Sequence, residues 1–344
     1  MTTASKALGE PEICVGTDPF RYRIAESWAK FPGDGPHGEA VGVACDSRNR
    51  VYVFLRSPVP VRVYEADGTL LATWGEGLFT RPHGIYIGPD DTVYCTDDFG
   101  HTVRAFTPEG RLLLTLGSSG RPSDTGATSI DYRTIKRAGP PFCYPTNLAI
   151  GPAGDLYVTD GYGNARVHRF APDGRLLQSW GEPGSGPSQF LVPHGLAVDG
   201  DGTVFVADRE NCRLQLFTAA GVYRGEWTNV VRPCQVFIDR PGGWIYVAEL
   251  GFRAGRWPGT GEAEPGAAGG RVSVFDRSGK LHARWGGGEN PCAAGDFFAP
   301  HGIWVDGHGD VYVAEVALSG GGRTGIVPAS CHTLQKFVRI DGRE

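Results

Sequence analysis

Three histidines occupy the same place in three copies of one short string. The copies read RPHGIYI, VPHGLAV and APHGIWV, and the residues are His83, His194 and His301. Their separations are nearly equal, 194 − 83 = 111 and 301 − 194 = 107. Three neutral imidazoles that leave one coordination position open make a catalytic zinc arrangement. Residues this far apart meet only if the fold of the chain between them brings them together. On a ring, alternate copies would lie roughly a third of a turn apart and converge on one axis.

The rest of the chain supplies such a structure. Each unit opens with a short apolar run and a turn such as GPDD, GPAG, DGDG or DGHG. A β-rich run follows (VYVF, TVYCTD, DLYVTD, TVFVAD, WIYVAE, DVYVAE), then a third one (VRAF, VHRF, LQLF, VSVF). The units close near ATWG, LTLG, QSWG, GEW and ARWG. Short alternating strands between Gly and Asp turns argue antiparallel β structure. Four of them per repeat of roughly 40 to 50 residues mark a propeller blade.

Six units start near Val41, Pro82, Pro145, Pro193, Pro233 and Pro300. The sixth has only three strands. Tyr22 to Phe31 (YRIAESWAKF) resembles the outer strands of other units. The expected fold is therefore all-β, a six-bladed β-propeller whose last blade is closed by the N-terminal strand, which removes open sheet edges. It forms one domain over 20–344 behind an N-terminal extension, 1–19. Insertions at Ser118–Pro141 and Gly255–Gly270 are expected to shape a binding face.

Aligned on the residue after the opening proline, the even units carry His83, His194 and His301. The odd units carry Val41, Thr146 and Cys234. All six should face the central channel. No carboxylate stands among them, which disfavours magnesium or calcium there; zinc leads, with iron, cobalt and copper as other nitrogen-tolerant metals. Cys234 reads as a small apolar filler, because a fourth protein ligand would close the site. Acids recur at one strand end, Asp97, Asp160, Asp208, Glu249 and Glu315. They are expected to fix turns or neighbouring blades, or to orient imidazoles from behind.

Composition narrows the function. The 344 residues include 52 Gly and 25 Pro, which suits a chain of turns, and the net charge is −5. With no basic stripe, nucleic-acid binding has no electrostatic support. No apolar run approaches the ~20 residues of a membrane helix. The start, MTTASKALGEPEIC, lacks the apolar segment of a secretory leader. Eight cysteines are spread singly, without CxxC. The expectation is a cytoplasmic protein with mostly reduced thiols, a small-molecule substrate and no obligate protein partner.

Longer strings carry a family likeness: PFCYPTNLAI, LYVTDGYGNARVHRFAPDGRLLQSWGE, QFLVPHGLAVDGDGTVFVADRENCRLQLF and FAPHGI. With the three histidines, they make the chain resemble the NHL-repeat propeller of peptidyl-α-hydroxyglycine α-amidating lyase. The resemblance implies zinc on His83, His194 and His301. It implies Tyr162 of the DGY string as catalytic base and Arg56 of VYVFLR as a second essential residue. Arg209, Asn147 and Ala299 would contact substrate. A structural calcium would lie on the backbone carbonyls of Val43 and Ile85. The chain departs from the family pattern at Gly302, where members carry an aspartate, and at Ala299, where they carry a methionine. One family disulfide is half present, with Cys143 matched but Gly163 at its partner position, and the second is absent.

The implied chemistry is carbon–nitrogen lysis. A phenol beside a cation ionises below its usual pKa near ~10 and can take a proton from a carbinol hydroxyl. Loss of that proton from an N–C(OH) group expels the amide nitrogen and leaves a carbonyl such as glyoxylate. Two other classes compete: a metal-dependent lactone or ester hydrolase in the same channel, and a non-catalytic binding propeller. Water consumption separates the first from a lyase, and absence of stoichiometric metal would mark the second.

Overall fold

The computed structural model describes residues 12–29, 38–255, 266 and 268–340. Most of the Gly255–Gly270 insertion, the first eleven residues and the end of the Tyr22–Phe31 segment lie outside them.

Six antiparallel sheets stand around one channel. Their innermost strands are Glu39–Cys45, Pro82–Ile87, Asn147–Ile150, Pro193–Val198, Pro233–Asp239 and Pro300–Val305. Each packs against the next, and the last packs against the first, so the ring is closed. The molecule is a six-bladed β-propeller, as the repeat predicted. Apolar side chains project from both faces of each sheet, because each blade is sandwiched between two others. The result is six separate inter-blade cores. The core between blades one and two, for example, joins Phe54, Val61 and Val63 to Ile85, Val93 and Phe106.

The closure works as expected, over a shorter stretch. Phe20–Ile24 pairs antiparallel with Leu334–Arg339 and completes the sixth blade. Phe20, Tyr22 and Ile24 are buried, and Tyr22 Oη lies 3.1 Å from Tyr246 Oη in the fifth blade. The residues assigned to the N-terminal extension include Cys14–Thr17, which pairs with Phe20–Ile24 as a fifth strand.

The cysteines include one bonded pair that the sequence did not reveal. Cys292 and Cys331 form a disulfide that ties a long loop of the last blade, 316–333, to the segment entering it. Spacing along the chain hid the pair, since 39 positions separate the two residues. Disulfides of this kind belong to oxidising surroundings. Cys14, Cys45, Cys95, Cys143 and Cys234 are free thiols. Gly163 does sit against Cys143: a Cβ there would lie 2.5 Å from Cys143 Sγ. Among the described residues no helix is long and apolar enough to cross a membrane.

Candidate metal centre

The register of the inner strands explains how the histidines reach the channel. Pairing skips one residue between Pro82 and Gly84, between Pro193 and Gly195, and between Pro300 and Gly302. The skipped residues are His83, His194 and His301. A bulge of this kind bends the strand and re-aims one side chain. Cys234 and Val41 occupy the same bulge in blades five and one.

Each imidazole is then fixed by the blade that follows. Nδ1–H of His83 donates to the Thr146 carbonyl at 2.7 Å, that of His194 to the Cys234 carbonyl at 2.9 Å and that of His301 to the Val41 carbonyl at 2.6 Å. A carbonyl only accepts, so Nδ1 carries the proton and Nε2 keeps its lone pair. The odd units thus orient the histidines of the even units through backbone oxygens. The repeated strand-end acids do not take part.

The glycine after each histidine follows from the same contact. A Cβ at Gly84 would meet the Thr146 carbonyl oxygen at 2.6 Å, and one at Gly195 the Cys234 oxygen at 2.3 Å. At Gly302 it would meet Gly42 Cα at 2.9 Å and the Val41 oxygen at 3.3 Å.

The three rings are buried, with centroids 4.6 to 4.9 Å apart. One ligand atom from each lies within 4.8 Å of the others, the one such group of three among the described residues. Burial, then the neighbouring imidazoles and arginines, pushes His83 and His194 well below their ordinary pKa. Burial and Arg56 push His301 down to about 3. Three neutral imidazoles with oriented, converging lone pairs fit a borderline transition metal such as zinc.

Tyr162 joins this group. Its hydroxyl lies 3.1 Å from Nε2 of both His83 and His194, and it accepts from Arg209 Nη1 at 3.3 Å. Burial works against the charge of Arg209, but Tyr162 and Glu210 outweigh it and hold the guanidinium protonated. A cavity of about 180 Å³ reaches Tyr162 and His301 and is walled by Arg56, Arg81, Arg209 and Arg232. Its remaining wall comes from Ile130 in the 118–141 insertion, from Leu250 to Gly255, and from Val316, Ser319 and Gly320.

Arg56 lies at the cavity wall. Its Nη1 donates to Glu39 at 2.8 Å and to Ser319 Oγ at 3.1 Å. Two predicted contacts are elsewhere. Asn147 donates to Gln235 across the channel at 2.7 Å, one residue beyond the imidazole-orienting positions and outside the cavity lining. Ala299 is fully buried among Phe298, Ala317 and Cys331.

The calcium expectation fares differently from zinc. Val43 and Ile85 stand at equivalent places in the inner strands of blades one and two. The position where a carboxylate would help is Gly302, pressed against Gly42. Two backbone carbonyls fall short of the six to eight oxygens that calcium takes. With Gly302 bringing no side-chain oxygen, these residues do not by themselves fit that ion.

The strand-end acids have one common task. Asp97 accepts from the backbone N–H of Thr80 and Arg81, Asp160 from Cys143, Asp208 from Leu191, Glu249 from Val231 and Glu315 from Phe298 and Ala299. Each anchors the loop that leads into an inner strand.

Arg81 and Arg232 escaped the sequence reading. The signal was present, since each directly precedes a proline and stands two residues before a channel position, in RPHG and RPCQ.

A family model, NHL repeat, matches residues 142–170 and 190–217. Human NHL repeat-containing protein 3 is 33% identical over 250 residues, covering 68% of each chain. The Drosophila melanogaster peptidyl-alpha-hydroxyglycine alpha-amidating lyase 1 is 32% identical over 201 residues, which are 54% of this chain and 35% of that one. Among solved structures, a streptogramin B lyase superposes with a TM-score of 0.55 at 15% identity, over 92% of this chain and 86% of that one. The last likeness speaks for the fold alone.

Proposed function

Because this chain belongs to the family of NHL-repeat β-propellers, we propose that it is a metal-dependent carbon–nitrogen lyase of the amidating-lyase type. It acts on an α-hydroxy amide or carbinolamine and releases an amide and a carbonyl product such as glyoxylate. The observation that carries the reading is the meeting of three oriented imidazole nitrogens with one buried phenol that an arginine also touches. The similarity to the Drosophila lyase supports it.

Nε2 of His83, His194 and His301 would hold zinc, which when bound lowers the pKa of a hydroxyl group and stabilises developing negative charge on oxygen. Tyr162, whose oxygen Arg209 Nη1 holds at 3.3 Å, takes the proton of the carbinol hydroxyl as general base. The electron pair left on oxygen forms the carbonyl as the carbon–nitrogen bond breaks. The departing nitrogen takes a proton, so that an amide and an aldehyde acid form without consuming water. Arg56 receives the substrate carboxylate on Nη2, the nitrogen that Glu39, Ser319 and the Pro82 carbonyl leave open. Ile130, Leu250 and Val316 screen the reacting centre from solvent.

The test is a product balance. Zinc-loaded protein and N-acetyl-α-hydroxyglycine should give glyoxylate and acetamide in equal amounts, without ¹⁸O from labelled water in the amide. Acetate carrying ¹⁸O in place of acetamide would indicate a hydrolase. Glyoxylate release no faster than in the Tyr162→Phe variant would sink the reading.

A further inference from the structure

The cavity beside the imidazoles holds more positive charge than its carboxylates balance. Arg56 is paired with Glu39 at 2.8 Å, and Arg81 grips both oxygens of Asp98. Arg209 and Arg232 share a single acid: Glu210 Oε1 accepts from Arg209 Nε at 2.8 Å and from Arg232 Nη2 at 2.8 Å. Among the described residues four arginines face three carboxylates, 4 − 3 = +1, with Tyr162 counted as neutral and before any metal adds its own charge. The excess lies where Glu210 is shared. There Arg209 Nη2 is buried with no oxygen acceptor, on a residue only 3% exposed, and the one further group against its guanidinium is the weakly accepting thiol of Cys234. An open donor of this kind is costly unless an anion meets it.

The four arginines also divide around the imidazoles. Arg56 and Arg81 come from blades one and two, and Arg209 and Arg232 from blades four and five, on the other side of the ring. Cationic groups therefore flank two sides of the reacting position. The volume of about 180 Å³ equals only some six waters at roughly 30 Å³ each in the liquid, which suits a compact molecule.

We propose, resting on the lyase reading above, that the substrate is a small dianion: an N-acyl α-hydroxyglycine whose acyl group carries a second carboxylate. The glycolate carboxylate sits on the Arg56 side and the acyl carboxylate meets Arg209 Nη2 beside Arg232. Arg232 is a specificity-determining residue, since it draws Glu210 away from Arg209. It also donates to the carbonyls of Gly251 and Gly255 at 3.0 and 2.8 Å and so holds the adjoining wall.

The probes are N-malonylglycine and N-acetylglycine, which lack the hydroxyl and cannot react. Calorimetry on zinc-loaded protein should find the malonyl compound bound about tenfold tighter or more, as expected for a charge-assisted pair in a buried site. In Arg232→Met the preference should shrink to about twofold. If that variant does not fold, the wild-type comparison decides alone, and equal affinities overturn the proposal. Rates with the two corresponding α-hydroxyglycines separate it from the lyase reading. Equal kcat/KM for both overturns the dianion and leaves the lyase standing. Tight malonyl binding without glyoxylate from either substrate supports the acyl-side anion site and overturns the lyase.

Discussion

At the scale of single residues, the centre rests on groups whose protons are assigned by their neighbours. The three carbonyls of Thr146, Cys234 and Val41 take the Nδ1 protons, and the converging nitrogens are left as bases. His194→Ala should therefore lower bound zinc from about one per chain to near none, read by elemental analysis; unchanged stoichiometry would mean the metal lies elsewhere. Tyr162→Phe removes one oxygen and no ring contact. It should keep its zinc and lose about 10²- to 10⁴-fold in kcat, the usual worth of a general base. Near-normal kcat in that variant would assign the proton transfer to another group. The DGY string marked this tyrosine, but the string could not reveal that its oxygen touches two imidazoles and a guanidinium at once.

At the scale of elements, the loops that carry the site are anchored by buried acids. Asp97 holds the N–H groups of Thr80 and Arg81, just before His83, at 2.8 Å each. Asp97→Ala leaves these donors unsatisfied and should cost about 1–3 kcal/mol in urea denaturation, with weaker zinc binding from a loosened His83. The loop of the last blade is held twice, by the Cys292–Cys331 disulfide and by His332, whose Nε2 lies 2.9 Å from Glu315. Burial alone would lower the pKa of His332, but Glu315 outweighs it and the net shift is upward. A raised folded-state pKa means that the pair's stabilisation is fully present below the unfolded value near ~6.5. It is lost as pH rises through the folded value. The stability gap between wild type and His332→Gln should accordingly be widest in mild acid and narrow toward alkaline pH. A gap constant across that range would remove His332 from the account.

At the scale of the whole molecule, closure depends on a strand contributed from the opposite end of the chain. Phe20 is fully buried and meets Trp244 edge-on at 4.8 Å, so the closing strand binds blade five as well as blade six. Phe20→Ala should destabilise the protein by about 3–5 kcal/mol in denaturant titration. Because one ring carries all three ligands, zinc binding should fail over the same denaturant range. Loss of zinc well before unfolding would show that the centre opens independently of the ring.

Periodicity alone determined the architecture. Alternating strands, Gly and Asp turns and six similar units permit few arrangements other than a ring, and the equal spacing of His83, His194 and His301 then points to one axis. The identity of the central residues was legible for the same reason, since they recur at one place in the repeat. What the tertiary structure decided lies between blades. The bulge at each histidine, the carbonyl behind it and the bare glycine beside it are one arrangement, visible only once neighbouring inner strands are in contact. Arg81 and Arg232 became part of the site because loops from separate blades share a wall, and Cys292 found Cys331 across the last blade. A repeat specifies contacts within a blade by their sequence separation. Contacts between the loops of separate blades join residues of no fixed separation, and only the closed ring brings those together.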